Sequence, residues 1–167
     1  MTRSSAREIA IHIVYELSFG TDRAEDVLER ELNRARFQEL GAESELYRDY
    51  PNEKQEQYIR DLVKGVFAHG AELDDYIARY AKGWSFARIP RMASAIMRTA
   101  MYEVLYMPDI PNAAAINEAI EIAKSYESQE MVSFMNGILG SFVRAEFQDT
   151  PPKPERAAED AAEQAEG

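Results

Sequence analysis

Residues 114–139, AAINEAIEIAKSYESQEMVSFMNGIL, constrain the fold more than any other stretch of the chain, because helical spacing appears in them twice with one break between. Ile116, Ala119, Ile120 and Ala123 recur at three and four, and Met131, Phe134, Met135, Ile138, Leu139, Phe142 and Val143 do the same. Ser128 separates the two runs as a helix cap. Asn117, Glu118 and the dipeptide Asn136-Gly137 interrupt a pattern that core packing alone would fill with Ala or Leu.

The same periodicity runs through the rest of the chain. Ser5 and Glu8 form a capping-box pattern, followed by Ile9, Ile13 and Leu17 on one face, with Gly20 suited to the helix end. A second amphipathic segment opens near Asp22, carries Val27, Leu28, Leu32, Ala35, Phe37 and Leu40, and fades into the polar residues 41–51, which read as a mobile internal loop. Asn52 caps a third segment with Tyr58, Ile59, Leu62, Val63, Val66 and Phe67 inward, and Gly70 marks its break. Leu73, Tyr76, Ile77 and Tyr80 form the next face, and Pro90 opens a helix bearing Ile96, Met97, Ala100, Met101, Val104 and Leu105. Two prolines in 107–111 make that stretch a connector. No run alternates with period two between hairpin turns, so the expectation is an all-α fold of about seven helices.

A length of 167 residues at 46% hydrophobic content suits one compact domain, placed at 1–147. Residues 148–167 carry six acids against Lys153 and Arg156 and almost no large apolar side chain, which reads as an acidic, disordered tail. No segment reaches the roughly 18 unbroken apolar residues of a membrane span, and no signal peptide opens the chain; a cytoplasmic protein without membrane contact is the simplest reading. With no cysteine there is no disulfide, thiolate nucleophile or cysteine-bound metal. His12 and His69 are too few and too far apart for a metal site, and His12 reads as a helix-surface residue. No cofactor is implied.

Catalysis finds no support. A Gly-rich phosphate loop, a Ser or Cys nucleophile motif and an HExxH pattern are all missing. Asp74 and Asp75 are adjacent, so on a helix they point about 100° apart and read as solvated charge rather than a paired acid and base.

The net charge of −11 opposes nucleic-acid binding, since phosphate affinity comes from Lys and Arg. Its distribution changes the picture. Residues 79–98 hold Arg79, Lys82, Arg88, Arg91 and Arg98 and no acid, with Tyr80, Trp84 and Phe86 interleaved. Guanidinium groups with aromatic faces are the materials for holding phosphates and stacking unpaired bases. The competing reading makes Trp84 and Phe86 core residues of a helix junction, favoured for Trp84, and the bases a solvated face.

Several motifs resemble the NusB family. Ala6-Arg7-Glu8 followed by Val14-Tyr15 is similar to A-R-E…L-Y; Trp84 with Arg88-Ile89 resembles W-x-x-x-R-[LI]; Ile96, Arg98, Ala100 and Tyr102-Glu103-Val104 resemble I-L-R-x-A-x-Y-E-[LI]. With Ile110-Pro111, residues 116–119, Ala123-Lys124 and residues 134–139, the likeness runs from Ala6 to about Val143 in consistent order, and residues 36–52 match weakly.

The resemblance implies two packed three-helix units with an extra helix and a transcription antitermination role. It implies binding of the single-stranded boxA element of ribosomal RNA leaders together with NusE, a small-subunit ribosomal protein, in a complex with NusA, NusG and RNA polymerase. By matching position, the implied RNA contacts are Arg3, Arg7, Tyr15, Arg98, Glu130 and Phe134. Arg88 and Arg91 of the basic window join them as candidates. Phe134 lies on an apolar stripe and suits the core equally well. Trp84, Asn117, Glu118, Lys124, Asn136 and Gly137 form the family's structural signature, the polar ones reading as residues that cap or cross-link helix ends.

Two departures bear on activity. The arm offers only Arg3 and Arg7 where the family often has a dense basic run, and Ala93 stands where an acidic residue is common. With about three phosphates contacted, the slope of log K against log salt on single-stranded RNA is expected near −2. The rival reading is a protein-interaction adaptor for a ribosomal protein with little RNA affinity of its own. A third, the NusB-like domain of ribosomal RNA cytosine methyltransferases, lacks room for a catalytic domain. Monomer and homodimer are both left open.

Overall fold

The computed structural model describes residues 1–147, and the expected acidic tail lies outside them. Eight α-helices make up the described chain: α1 (Arg3–Leu17), α2 (Ala24–Glu31), α3 (Arg34–Gly41), α4 (Glu53–Ala68), α5 (Gly70–Tyr80), α6 (Arg91–Tyr106), α7 (Asn112–Ala123) and α8 (Gln129–Phe147). Two short 3-10 turns, Glu45–Tyr47 and Phe86–Arg88, complete it, and no strand occurs among the described residues. The all-helical expectation holds, with one helix more than about seven.

The chain clusters into two compact units, Met1–Phe67 and one beginning at Ala68. In the first, α1 packs on α2 and α2 on α3. Ile9, Ile13, Val27, Leu28, Phe37, Ile59, Leu62 and Val63 are buried at 3% exposure or less. Each such side chain contributes roughly 1.5–3 kcal/mol. The second unit packs α6 against α5, α7 and α8, and α8 against α5 and α7. Phe142 of α8 is fully buried there, edge-on to Tyr76 of α5 at 5.0 Å between ring centroids.

The extra helix comes from a break that periodicity hides. The Asn33 amide donates to the Glu29 and Arg30 carbonyls at 2.9 Å, closing α2, while its Oδ1 accepts the Arg36 amide at 2.9 Å and opens α3. One side chain thus satisfies groups at two helix ends. At the start of the chain, Thr2 rather than Ser5 is the cap: its hydroxyl accepts the Ser5 amide at 2.9 Å, which places Ser5 inside the first turn. Asn52 and Ser128 cap as expected. Asn52 exchanges bonds with Gln55 in a capping box at 2.9 and 3.0 Å, and Ser128 accepts the Met131 amide at 3.1 Å.

Residues 41–51 are not the free loop the sequence suggested. Phe37 sits edge-on to Tyr47 and Tyr50 at 5.1 and 5.0 Å, the Tyr50 hydroxyl donates to the Leu32 carbonyl at 3.1 Å, and Tyr47 Oη meets His12 Nδ1 at 2.7 Å. Gly41 is required by this packing. A Cβ there would lie 2.9 Å from the Tyr47 carbonyl oxygen and 3.3 Å from Arg48 Cα, both backbone atoms that cannot swing aside. Gly41→Ala should therefore lower stability by about 1–3 kcal/mol, read as an earlier urea midpoint with an unchanged slope.

His12 is correspondingly half-buried, not on the surface. Desolvation holds its pKa below the ordinary 6.5, and burial pushes the Tyr47 hydroxyl up to about 12, so both are neutral where they meet. The unfolded chain binds this proton more readily than the folded one. Stability is therefore full above pH 6.5 and falls as pH drops through 6.5 toward the lower folded value. Thermal melts at about pH 7.5 and about pH 5.5 should show a loss in the native chain that is smaller in His12→Gln.

Candidate nucleic-acid interface

The connection from α5 to α6 builds the basic window. Gly83 adopts φ +84°, a left-handed value that side chains disfavour, and the Trp84 amide returns to the Ala81 carbonyl at 3.3 Å. The chain then coils through Phe86–Arg88. The two aromatic side chains of this turn have different fates. Phe86 lies under the Arg98 guanidinium at 5.8 Å, and Arg98 Nε donates to Asp74 Oδ1 of α5 at 2.5 Å, which ties the turn to both helices. Trp84 instead lies against Phe134 of α8, ring centroids 4.9 Å apart and 39° between planes, and remains 41% exposed.

Trp84 is thus a surface residue, contrary to the favoured sequence reading, and Phe134 is partly exposed beside it. Glu130 stands exposed one turn earlier on the same face of α8.

The five cations of the window divide by partner. Arg79 pairs with Glu146 at 2.7 Å, whose Oε1 also accepts from the Tyr80 hydroxyl at 2.8 Å. Arg98 is occupied by Asp74, so Asp74 is an ion-pair residue rather than solvated charge, and the side chain of Arg98 is 17% exposed. Arg91 is exposed in the first turn of α6. Lys82 and Arg88 are exposed and have no ion-pair partner among the described residues. Both flank Trp84 in the chain.

The first unit holds the other candidates. Arg3 is partly exposed, its guanidinium 5.2 Å from the centroid of Tyr58. Arg7 is 2% exposed with its guanidinium 5.9 Å from the same ring. Its stem and guanidinium are thus packed within the first unit. Tyr15 is partly exposed and edge-on to Phe19 at 4.8 Å, and Phe19 is 57% exposed, an aromatic that no sequence motif singles out.

The signature residues are not uniformly structural. Asn117 and Asn136 are exposed inside α7 and α8, away from helix ends, so neither caps. Gly137 has nothing within 4 Å of a Cβ position. Lys124, the residue closing α7, pairs with Glu121 at 2.6 Å, and Glu118 is partly buried.

Two other features suit phosphate poorly. His69 stacks on Tyr106 at 4.2 Å, but the Tyr106 hydroxyl donates to both Glu72 oxygens at 2.8 and 2.9 Å, a bond to an anion that pushes its pKa up to about 12. A cavity of about 300 Å³ lies between Ile13, Leu40, Glu31, Arg36 and the His12–Tyr47 pair, with Glu31 and Arg36 already joined at 3.1 Å. No cluster able to hold a metal and no helix long and apolar enough to cross a membrane occur among the described residues.

The NusB family model matches residues 4–144. A transcription antitermination protein NusB from Acetivibrio thermocellus is 38% identical over 147 residues, 88% of this chain and 92% of that protein. The one from Carboxydothermus hydrogenoformans is 39% identical over 140 residues, 84% and 91% of the two chains. The solved NusB of T. maritima superposes with a TM-score of 0.73 at 26% identity, covering 97% of this chain and 98% of that one. A NusB solved with NusE and double-stranded RNA shares the fold, with a TM-score of 0.66 at 18% identity over 86% and 96% of the two chains. This chain therefore belongs to the NusB family, a family of transcription antitermination factors rather than enzymes.

Proposed function

We propose that residues 1–147 act as one RNA-binding domain that takes up the single-stranded boxA element of ribosomal RNA leaders jointly with NusE. In the cytoplasm this pair joins NusA, NusG and RNA polymerase to suppress premature termination. The observation that carries the reading is the local reversal of charge. In a chain of net −11, Lys82 and Arg88 stand exposed, with no carboxylate partner among the described residues, next to exposed aromatic surface. The solved NusB–NusE–RNA complex of a relative supports both kinds of partner.

On this reading Lys82, Arg88 and Arg3 neutralise phosphates, Arg91 adds charge at the α6 start, and Tyr15 and Phe134 offer ring faces. Glu130 accepts from base amino groups. Arg98 and Arg7 are positioning residues. Three phosphate contacts give a salt slope of about −2 and a modest affinity for the protein alone. A second reading, a protein adaptor for NusE with little RNA affinity, is favoured by the pairing of Arg98 with Asp74 and the burial of Arg7.

Titrating fluorescent boxA RNA and a scrambled control at two salt concentrations, with and without NusE, separates the two. Preference for boxA that sharpens with NusE supports joint recognition. Equal binding of both RNAs in every condition removes it, and NusE binding without RNA affinity selects the adaptor.

A further inference from the structure

We propose that Trp84 is a stacking platform for one unpaired nucleobase, a subsite that rests on the RNA-binding reading above. Trp84 is the chain's single tryptophan, and at 41% exposure it is far from the burial such a side chain gains in a core. Its turn is held by other means. Gly83 supplies the left-handed residue at φ +84°, Phe86 is clamped beneath Arg98, and Arg98 is bound to Asp74 at 2.5 Å. The indole is thus available without being the anchor of the turn.

Its geometry suits a base. The ring rests on Phe134 at 4.9 Å with 39° between planes, so a base laid on the indole extends a stack of aromatic rings already begun by α8. The charges suit a nucleotide and not merely an apolar group. Lys82 and Arg88, two residues before and four after Trp84, are exposed cations with no ion-pair partner among the described residues. They lie on the same short turn as the indole, where the phosphates on either side of a stacked base need neutralising. The His69–Tyr106 stack is a useful contrast: it is equally aromatic, but the Glu72 carboxylate bound to Tyr106 would repel a phosphate.

Because no other tryptophan contributes, its emission reports this subsite directly. The full chain is titrated with fluorescein-labelled boxA RNA at low salt, following anisotropy for binding and unlabelled RNA with tryptophan emission for stacking. Emission should be quenched in step with binding, Trp84→Leu should weaken binding about tenfold, and Trp84→Phe should restore most of it. Circular dichroism of Trp84→Leu checks that the helices persist; if they do not, quenching in the native chain and the Trp84→Phe affinity decide. Binding with unchanged emission and equal affinity in Trp84→Leu overturns the platform while leaving the RNA-binding reading intact. Equal quenching by inorganic polyphosphate, which has no bases, also overturns it. Failure of the native chain to bind RNA, alone and with NusE, overturns both.

Discussion

Replacing Lys82 and Arg88 together by Ala should weaken RNA binding by about 25-fold at about 0.1 M salt and flatten the salt slope by about 1.4, since each single-strand phosphate contact carries a slope of about 0.7. Both side chains are exposed and lack ion-pair partners among the described residues, so removing them should move stability by no more than about 0.5 kcal/mol. The loss should apply to boxA and scrambled RNA alike, because phosphate contacts position the strand without reading it. Fluorescence anisotropy over a salt series measures both quantities. An unchanged slope would remove these two cations from the interface, whatever happened to the affinity at one salt concentration.

Phe142→Ala should have the largest effect on stability, about 3–5 kcal/mol. The ring is fully buried, edge-on to Tyr76 at 5.0 Å, 6.3 Å from Tyr80 and 5.8 Å from Phe147. Its removal opens a cavity between α5 and α8 that aromatic neighbours cannot fill by rotating about a single bond. Total stabilities of about 5–15 kcal/mol mean that this variant loses a large share of its margin. The second unit should therefore melt first, and a urea titration followed by circular dichroism should show a much earlier transition. Phe142→Leu, which leaves a smaller void, should recover part of the loss. Because Trp84 stands on the turn before α6 and Phe134 on α8, RNA binding should fall in Phe142→Ala through loss of fold and return in Phe142→Leu.

The helices α4 to α8 were legible in the sequence because their apolar residues repeat every three or four and their ends carry Asn52, Pro90, the 107–111 connector and Ser128. The break at Asn33 was not. Val27, Leu28, Leu32, Phe37 and Leu40 keep helical spacing across it, and only the bonds made by the Asn33 side chain reveal two helices. Residues 41–51 looked unstructured because their polar composition hides the tertiary contacts of Tyr47 and Tyr50, whose partners lie up to 35 residues away.

The candidate site divides in the same way. The acid-free window was visible as a count of charges, but which cations are spoken for depends on contacts 24 and 67 residues distant, Arg98 with Asp74 and Arg79 with Glu146. Trp84 and Phe86 are two residues apart in an irregular turn, where no periodicity says which side faces inward. There the left-handed Gly83 and the 3-10 coil decide, sending Phe86 under Arg98 and Trp84 to the surface.

Where the RNA lies on the protein is tested most directly by photo-crosslinking boxA RNA that carries 4-thiouridine to the full chain and sequencing the crosslinked peptides. Crosslinks should concentrate on the peptides holding Lys82 to Arg88 and Glu130 to Phe134, and excess unlabelled boxA RNA should remove them. Crosslinks confined to the His69–Tyr106 face or to residues 41–51, with Trp84 and Phe134 unmodified, would contradict the placement of the nucleic-acid interface on the basic aromatic turn.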